Sequence, residues 1–165
     1  MTEINYPEII LKAGREAALL RGHPWVFSGA IAKIKGHPSD GDVVLALDSR
    51  NQALALGFFN SKTDISFRVL ERNCARGVDA AFWEERVARA AELRERIIDA
   101  RTNAFRLINA EGDGCPGLIV DVYDRTLAMS ISTAGMEKQR RSILDALVGR
   151  MKPAGIYEHS AGRSR

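Results

Sequence analysis

The chain has 165 residues, of which 45% are hydrophobic and 27% charged, a balance typical of a globular protein with one medium or two small domains. Its 24 Lys and Arg residues against 21 Asp and Glu residues leave a net charge of only +3, so any strongly positive surface must be local. No apolar stretch approaches the roughly 20 residues of a transmembrane helix, and MTEINYPEII lacks the order of a signal peptide, so we expect a cytoplasmic protein without a membrane partner.

The first part of the chain is rich in strand patterns. A short helix is predicted over 14–20. Four predicted strands follow it, at 30–34, 43–48, 53–59 and 65–72. The turn residues of HPSDGD and SRNQ separate these runs, and the glycine within ALALGFF indicates a bulge or bend. The pattern predicts a small β-barrel domain over residues 1–73.

Cations and rings lie close together in KAGREAALLRG and GHPWVFSGAI, between the predicted helix and the first predicted strand. The candidate RNA-binding residues are Lys12, Arg15, Arg21, His23 and Trp25. Guanidinium and ammonium groups neutralise phosphates, and an exposed ring stacks on an unpaired base. The alternative is structural: Trp25 and Phe27 would anchor a corner in the core, while His23 shapes a turn. We favour core packing for these two rings and RNA contact for the cations.

A helical pattern covers residues 79–100, within a connecting segment that we assign to 74–103. The apolar residues that share one face are Trp83, Val87, Ala90, Ala91, Ile97 and Ile98. Asp79 is placed to cap the amino terminus of the helix. Arg and Glu alternate around the opposite face, which favours a solvated surface over an RNA-binding one.

Residues 104–165 predict a small mixed α+β domain. Strands are predicted at FRLIN, LIVDVY, LAMSIS and GIYEHS, with a glycine-rich turn, AEGDGCPG, between the first two. A helix is predicted over MEKQRRSILDALVGRM. Its apolar stripe, which we assign to the core, is Met136, Ile143, Leu144, Leu147 and Met151. Together with the barrel, this organisation gives an α+β fold class.

No residue is assigned to a catalytic, cofactor or metal site. The glycine-rich turn lacks the GxxxxGK(S/T) order of a phosphate loop and leads into a strand. Its acidic neighbours are more typical of solvated turn and edge positions than of a cation site. Cys74 and Cys115 lack CxxC spacing, so we expect free reduced thiols, with Cys115 as an apolar filler. A hydrolytic role for His159 is disfavoured because no partner groups can be placed beside it.

Two landmarks in this order resemble a known family. KAGREAALLRGHPWVFSGAI, followed by GDVVLALD, ALALGFFN and ISFRVL, resembles the PUA domain that opens a family of bacterial large-subunit rRNA cytosine-C5 methyltransferases. FRLINAEGDGCPGLIVDVYDRTLAMSISTAGME is similar to the α+β middle domain of that family, and YEHSAGRSR to the segment just before its catalytic domain. The resemblance covers nearly the whole chain.

The resemblance implies a protein that binds large-subunit rRNA, uses S-adenosylmethionine in its full-length form, and forms a homodimer. We expect this chain to be the RNA-binding amino-terminal portion, inactive alone and without its own cofactor. No glycine-rich strand-to-helix fingerprint occurs in it, and neither cysteine matches the catalytic motif. Two alternatives stay open: a stand-alone PUA-type RNA-binding adaptor, and a small-molecule enzyme that joins Asp113 to His159 or Cys115.

Overall fold

The computed structural model describes residues 5–99 and 101–159 and has the mixed α+β architecture expected from the sequence. The chain divides into two units, Met1–Gly77 and Val78–Arg165. Each unit has its own sheet, of six strands in the first and four in the second. The helix that the sequence assigns to a connecting segment lies within the second unit.

The first unit is a curled sheet with one short helix. Its elements are β1 (Glu8–Leu11), α1 (Ala17–Leu20), β2 (Trp25–Phe27), β3 (Ile31–Lys35), β4 (Val43–Leu47), β5 (Ala53–Phe59) and β6 (Ile65–Glu71). The strand order is β2-β6-β5-β4-β1-β3, and every neighbouring pair is antiparallel except β1 with β4. The helix and the sheet enclose one apolar core, which includes Ile9, Leu11, Leu19, Val26, Val44 and Phe67.

Two of these strands, β1 and β2, are not predicted from the sequence. They are only four and three residues long, so the alternation of apolar and polar residues is too short to detect. Their partner strands also lie far along the chain. The predicted helix at 14–20 is also shorter than expected. Gly14 has a φ of +81°, and the backbone N–H of Arg15 donates to the carbonyl of Lys12, so a turn occupies the first predicted helical positions.

The bulge expected within ALALGFF is present. The pairing of β5 with β6 shifts register between Leu56 and Gly57. A Cβ atom built at Gly57 would lie 2.3 Å from the carbonyl oxygen of Arg68, which is closer than real Cβ contacts come. Glycine therefore allows the backbone of β6 to approach β5 at this point.

In its described residues, the second unit combines a four-stranded sheet with three α-helices. Its elements are α2 (Ala80–Ile97), β7 (Ala104–Asn109), β8 (Leu118–Tyr123), β9 (Thr126–Ile131), α3 (Ala134–Lys138), α4 (Arg140–Met151) and β10 (Gly155–Glu158). The strand order is β10-β9-β8-β7, with β10 parallel to β9 and the other pairs antiparallel. Helix α2 packs against α4 and β7, and the indole N–H of Trp83 donates to Oε1 of Gln139 at 3.1 Å.

The helix predictions for this unit hold with two corrections. Asp79 caps α2 as expected, since its carboxylate accepts from the backbone N–H of Phe82 at 2.9 Å. Ile97 is 68% exposed rather than packed, because the inward position after Ala91 belongs to Arg94, whose side chain is only 12% exposed. The single helix predicted over 136–151 is two helices that meet at Gln139, where the backbone leaves the helical path.

Candidate nucleic-acid interface

The first unit contains an open groove of about 460 Å³ beside α1 and β2. Arg15, Arg21 and Trp25, three of the five candidate RNA-binding residues, line it. The other lining residues are Gly14, Ala17, Ala18, Leu19, Val26, Phe27, Gly29 and Ala30. We refer to this feature as the α1–β2 groove. It collects cations and aromatic rings on one surface, as the sequence cluster predicts.

Local backbone geometry places the two arginines at opposite ends of α1. The helix is four residues long, so Arg15 precedes its first turn and Arg21 follows its last. The backbone N–H of Gly22 then donates to the carbonyl of Leu19, and a φ of +98° at Gly22 turns the chain toward β2. Leu19 and Val26 are buried and anchor the two sides. Both guanidinium groups therefore remain exposed at the groove.

The expectation that Trp25 and Phe27 anchor the core is wrong. Val26 is the buried residue of β2, at 4% exposure, because side chains alternate along a strand. Phe27 is consequently 50% exposed, and Trp25 is half-buried. Phe27 is thus a groove residue that the sequence reasoning assigned elsewhere. The alternation of Trp25, Val26 and Phe27 is the signal that could have identified it.

His23 and Lys12 lie at the margin of the groove. Nδ1 of His23 accepts from the backbone N–H of Trp25 at 3.2 Å, and the two rings meet edge to face with centroids 5.9 Å apart. His23 therefore shapes the turn, as its structural alternative proposed. Nζ of Lys12 donates to the carbonyl of Gly29 at 2.8 Å, which places the ammonium beside a residue that lines the groove.

Two further arginines support this surface, and the sequence reasoning missed both. The guanidinium of Arg68 lies 5.6 Å from the centre of the Trp25 ring, within cation–π range. Arg72 donates to the carbonyl of Leu19 at 2.8 Å and to that of His23 at 3.4 Å. Both belong to β6 or follow it directly, so no local pattern links them to the cluster. Both increase the positive charge near the groove, and Arg72 also fixes its backbone.

The glycine-rich turn of the second unit packs against its own unit. A Cβ atom at Gly114 would lie 2.0 Å from Nη1 of Arg86, and one at Gly117 would lie 2.4 Å from Cγ2 of Thr133. Both glycines have positive φ values, of +67° and +89°. The side chains of Arg86 and Thr133 therefore occupy the space beside these two glycines.

Two acidic residues near this turn, Asp113 and Asp121, are engaged in ion pairs. Asp113 accepts two hydrogen bonds from Arg94, at 2.6 and 2.7 Å, and a third from the backbone N–H of Asn109 at 2.6 Å. Asp121 accepts two from Arg106, at 2.8 and 3.1 Å. Over residues 5–99 and 101–159, no group of three or more His, Cys, Asp and Glu side chains is arranged to hold a metal ion. These carboxylates serve the fold.

Neither cysteine has the environment of a nucleophile. Burial raises the pKa of Cys115 to about 12, with Asp113 adding to the rise and Arg86 opposing it. Burial also raises the pKa of Cys74, and the charge of Glu71 contributes. Cys115 is 1% exposed and its thiol donates to the carbonyl of Asp113 at 3.6 Å, in agreement with a filler role. His159 donates its backbone N–H to the carbonyl of Met129, and its neighbour Ser160 lies outside the described residues.

We expect Cys115 to resist alkylation in the folded chain. Its pKa lies far above pH 8, so the thiol stays protonated, and burial also blocks access to the sulfur. Iodoacetamide at pH 8, followed by peptide mass analysis, should label Cys74 slowly and leave Cys115 unmodified, and both should react in denaturant. The Cys74→Ser variant is the matched control, and rapid native labelling of that variant would contradict the assignment.

The comparisons with known proteins match both units. Residues 9–72 match the sequence family described as a PUA-like domain. Ribosomal RNA large subunit methyltransferase I of Klebsiella pneumoniae is 33% identical over 161 residues, which is 97% of this chain and 40% of that protein. The protein of that name from Pseudoalteromonas translucida is 38% identical over 153 residues, which is 92% of this chain and 39% of that protein.

A solved structure shows the same fold across most of the chain. A candidate SAM-dependent methyltransferase from Streptococcus mutans superposes with a TM-score of 0.78 at 17% identity, over 93% of this chain and 40% of its own. This chain spans about two fifths of the length of the curated relatives that it matches. Among the described residues, no helix is both long enough and apolar enough to cross a bilayer.

Proposed function

Because this chain carries a PUA-like domain over residues 9–72 and is homologous to ribosomal RNA large subunit methyltransferase I, we propose that its α1–β2 groove binds large-subunit rRNA. The observation that carries the proposal is the convergence of Arg15, Arg21, Trp25 and Phe27 on one open groove of the PUA-like domain. Lys12 and His23 belong to the same proposed interface, at its margin.

The groove offers two kinds of contact to RNA. Arg15 and Arg21 are exposed cations at the two ends of α1, where each can neutralise a phosphate and release its counterions. Phe27 presents half of its surface to solvent, which suits stacking on an unpaired base. Trp25 is held by the His23 ring and the Arg68 guanidinium, so its position is set before RNA arrives. The groove therefore favours a loop or bulge over regular duplex.

The proposed biological role is substrate capture for the formation of 5-methylcytosine in 23S rRNA. That reaction needs a nucleophilic thiolate and S-adenosylmethionine as methyl donor. The raised pKa of Cys115 keeps it a thiol, and the side chains of Arg86 and Thr133 lie against the glycine-rich turn. In this proposal the described residues bind and orient the RNA and perform no step of methyl transfer. The homodimer implied by the resemblance stays a prediction, which sedimentation velocity tests.

Binding to a protein-free large-subunit rRNA transcript at several salt concentrations tests the proposal. Each phosphate contact contributes about 0.7 to 0.9 to the slope of log affinity against log salt. Three to four such contacts from the groove cations predict a slope of roughly 2 to 4. The comparison RNA is a small-subunit rRNA transcript of similar length, which should bind more weakly. A flat salt response, or equal affinity for the two transcripts, would count against large-subunit rRNA capture.

A further inference from the structure

The sheet of the second unit has one buried and one solvent-facing side. The buried residues of its strands are Leu107, Ile108, Leu118, Val120, Val122, Leu127, Met129 and Ile131. Residues that alternate with them along β8 and β9 are half-buried or exposed, as are all four residues of β10. Tyr123 and Tyr157 are 57% and 64% exposed. We call this second surface the open sheet face; it comprises Arg106, Asp121, Tyr123, Ala128, Ser130 and Tyr157.

Strand register brings these residues together. Arg106 lies opposite Asp121, Asp121 opposite Ala128, and Ala128 opposite Tyr157, so one row crosses all four strands. Tyr123 stands two residues beyond Asp121 on β8. With strands about 4.8 Å apart and a rise of about 3.3 Å per residue, the backbones of the two tyrosines lie about 12 Å apart. Because the side chain of Ala128 is small, it leaves open space above the sheet between the two rings.

Planar hydrogen-bonding groups stand beside the first ring. The guanidinium of Arg106 donates to both carboxylate oxygens of Asp121 and, at 3.4 Å, to Oδ1 of Asn109. Arg106, Asn109, Asp121 and Tyr123 line an open groove of about 530 Å³. Sheet surfaces that bind unpaired RNA bases use an exposed ring on which a base stacks. Neighbouring guanidinium, amide and carboxylate groups hydrogen-bond to the base edges.

The charge on this surface favours RNA over a protein partner. Exposed Arg125 and Lys152 adjoin the Tyr123 end of the sheet, where the N–H of Ala154 donates to the carbonyl of Arg125. Together with Arg106 they outnumber the acids there, Asp121 and Asp124. The Arg106–Asp121 ion pair also lies on this face, where β8 meets the edge strand β7.

We propose that the open sheet face is a second RNA contact of this chain, on which unpaired bases stack against Tyr123 and Tyr157. The inference rests on the proposed function, since it assumes that RNA is the ligand. The two surfaces bind different parts of the RNA. The α1–β2 groove holds mainly phosphates through its cations, and the open sheet face holds mainly bases through its rings.

The test uses the full chain and a fluorescein-labelled single-stranded RNA of about 12 nucleotides. The double variant Tyr123→Leu with Tyr157→Leu should weaken binding at least about tenfold, because stacking on both rings is lost. The slope of log affinity against log salt should stay unchanged, because tyrosines release no counterions. Tyr123→Phe with Tyr157→Phe retains the rings and should bind within about twofold of the wild type.

The matched control removes exposed apolar side chains from the helices of the same unit, with Leu93→Ala and Val148→Ala, and should leave affinity unchanged. Circular dichroism checks that each variant is folded. Unchanged affinity in the double Leu variant overturns the inference, as does equal loss in the Phe variant. A changed sedimentation coefficient of the free Leu variant, without loss of RNA affinity, would identify a self-association surface and also overturn it. If the groove variants bind RNA as tightly as the wild type while the double Leu variant does not, only the proposed function is contradicted.

Discussion

Replacement of Arg15 and Arg21 together by alanine is expected to weaken binding of large-subunit rRNA by on the order of 10- to 100-fold near 0.1 M salt. Both side chains are exposed, both line the α1–β2 groove, and each can make a charge-assisted hydrogen bond to phosphate. The salt slope should fall by about 0.7 to 0.9 for each lost contact. Fluorescence anisotropy across a salt series measures both quantities.

The control for this prediction must remove equal charge without disturbing the fold. Arg89→Ala with Arg96→Ala serves, since both side chains are exposed on α2 in the second unit. Arg86 and Arg94 would be poor controls, because Arg86 packs over the Phe82 ring at 4.7 Å and Arg94 holds Asp113. If the α2 variant loses as much affinity and slope as the groove variant, binding follows net charge and the groove has no special role.

Arg94→Ala is expected to produce the largest loss of stability in the second unit, about 3 to 5 kcal/mol. The side chains of Arg94 and Asp113 are 12% and 9% exposed, so removal of the guanidinium leaves a nearly buried carboxylate without its partner. Arg94 also donates from Nε to the carbonyl of Arg106 at 3.0 Å, and that acceptor loses its donor too. The transition midpoint should fall by on the order of 10 to 20 °C.

Fluorescence of Trp83 reports this transition directly. Trp83 is fully buried in the second unit, and a Trp25→Phe background removes the indole of the first unit. Arg101→Ala is the matched control: its ion pair with Asp99 is exposed, at 91% and 54%, and its removal should leave the midpoint unchanged. Arg94→Met combined with Asp113→Leu should recover part of the loss, because no unpaired charge remains. Equal midpoints for Arg94→Ala and Arg101→Ala would refute the assignment.

Most of the fold could be predicted because long hydrophobic patterns remain recognisable despite local irregularities. The strands β4, β5, β6 and β8 and helix α2 show sustained alternation or helical periodicity, and the structure places them close to the expected positions. The short strands β1 and β2 could not be predicted because they form only by pairing with residues distant in sequence. Val26, for example, lies opposite Phe67. The interruption at Gln139 could not be predicted because Met136 and Ile143 are seven positions apart, about two helical turns, so both fit one helical face.

The candidate groove was only half visible from sequence. Arg15, Arg21 and Trp25 lie close together along the chain, so their convergence could be anticipated. Arg68 and Arg72 reach the same place through the fold, and no local signal marks them. Phe27 was assigned to the core because a large apolar ring is usually buried, yet the alternation set by Val26 points it outward.

The hydrogen bonds from Arg72 also constrain the order in which the α1–β2 groove folds. A carbonyl at the end of α1 depends on a guanidinium that lies 53 positions later in the chain. As the polypeptide emerges during synthesis, the rings and cations of α1 and β2 appear early, but their supports at Arg68 and Arg72 follow only when β6 is complete. Such long-range closure is slow relative to local structure. A nascent chain therefore completes the α1–β2 groove late, after the whole curled sheet has closed.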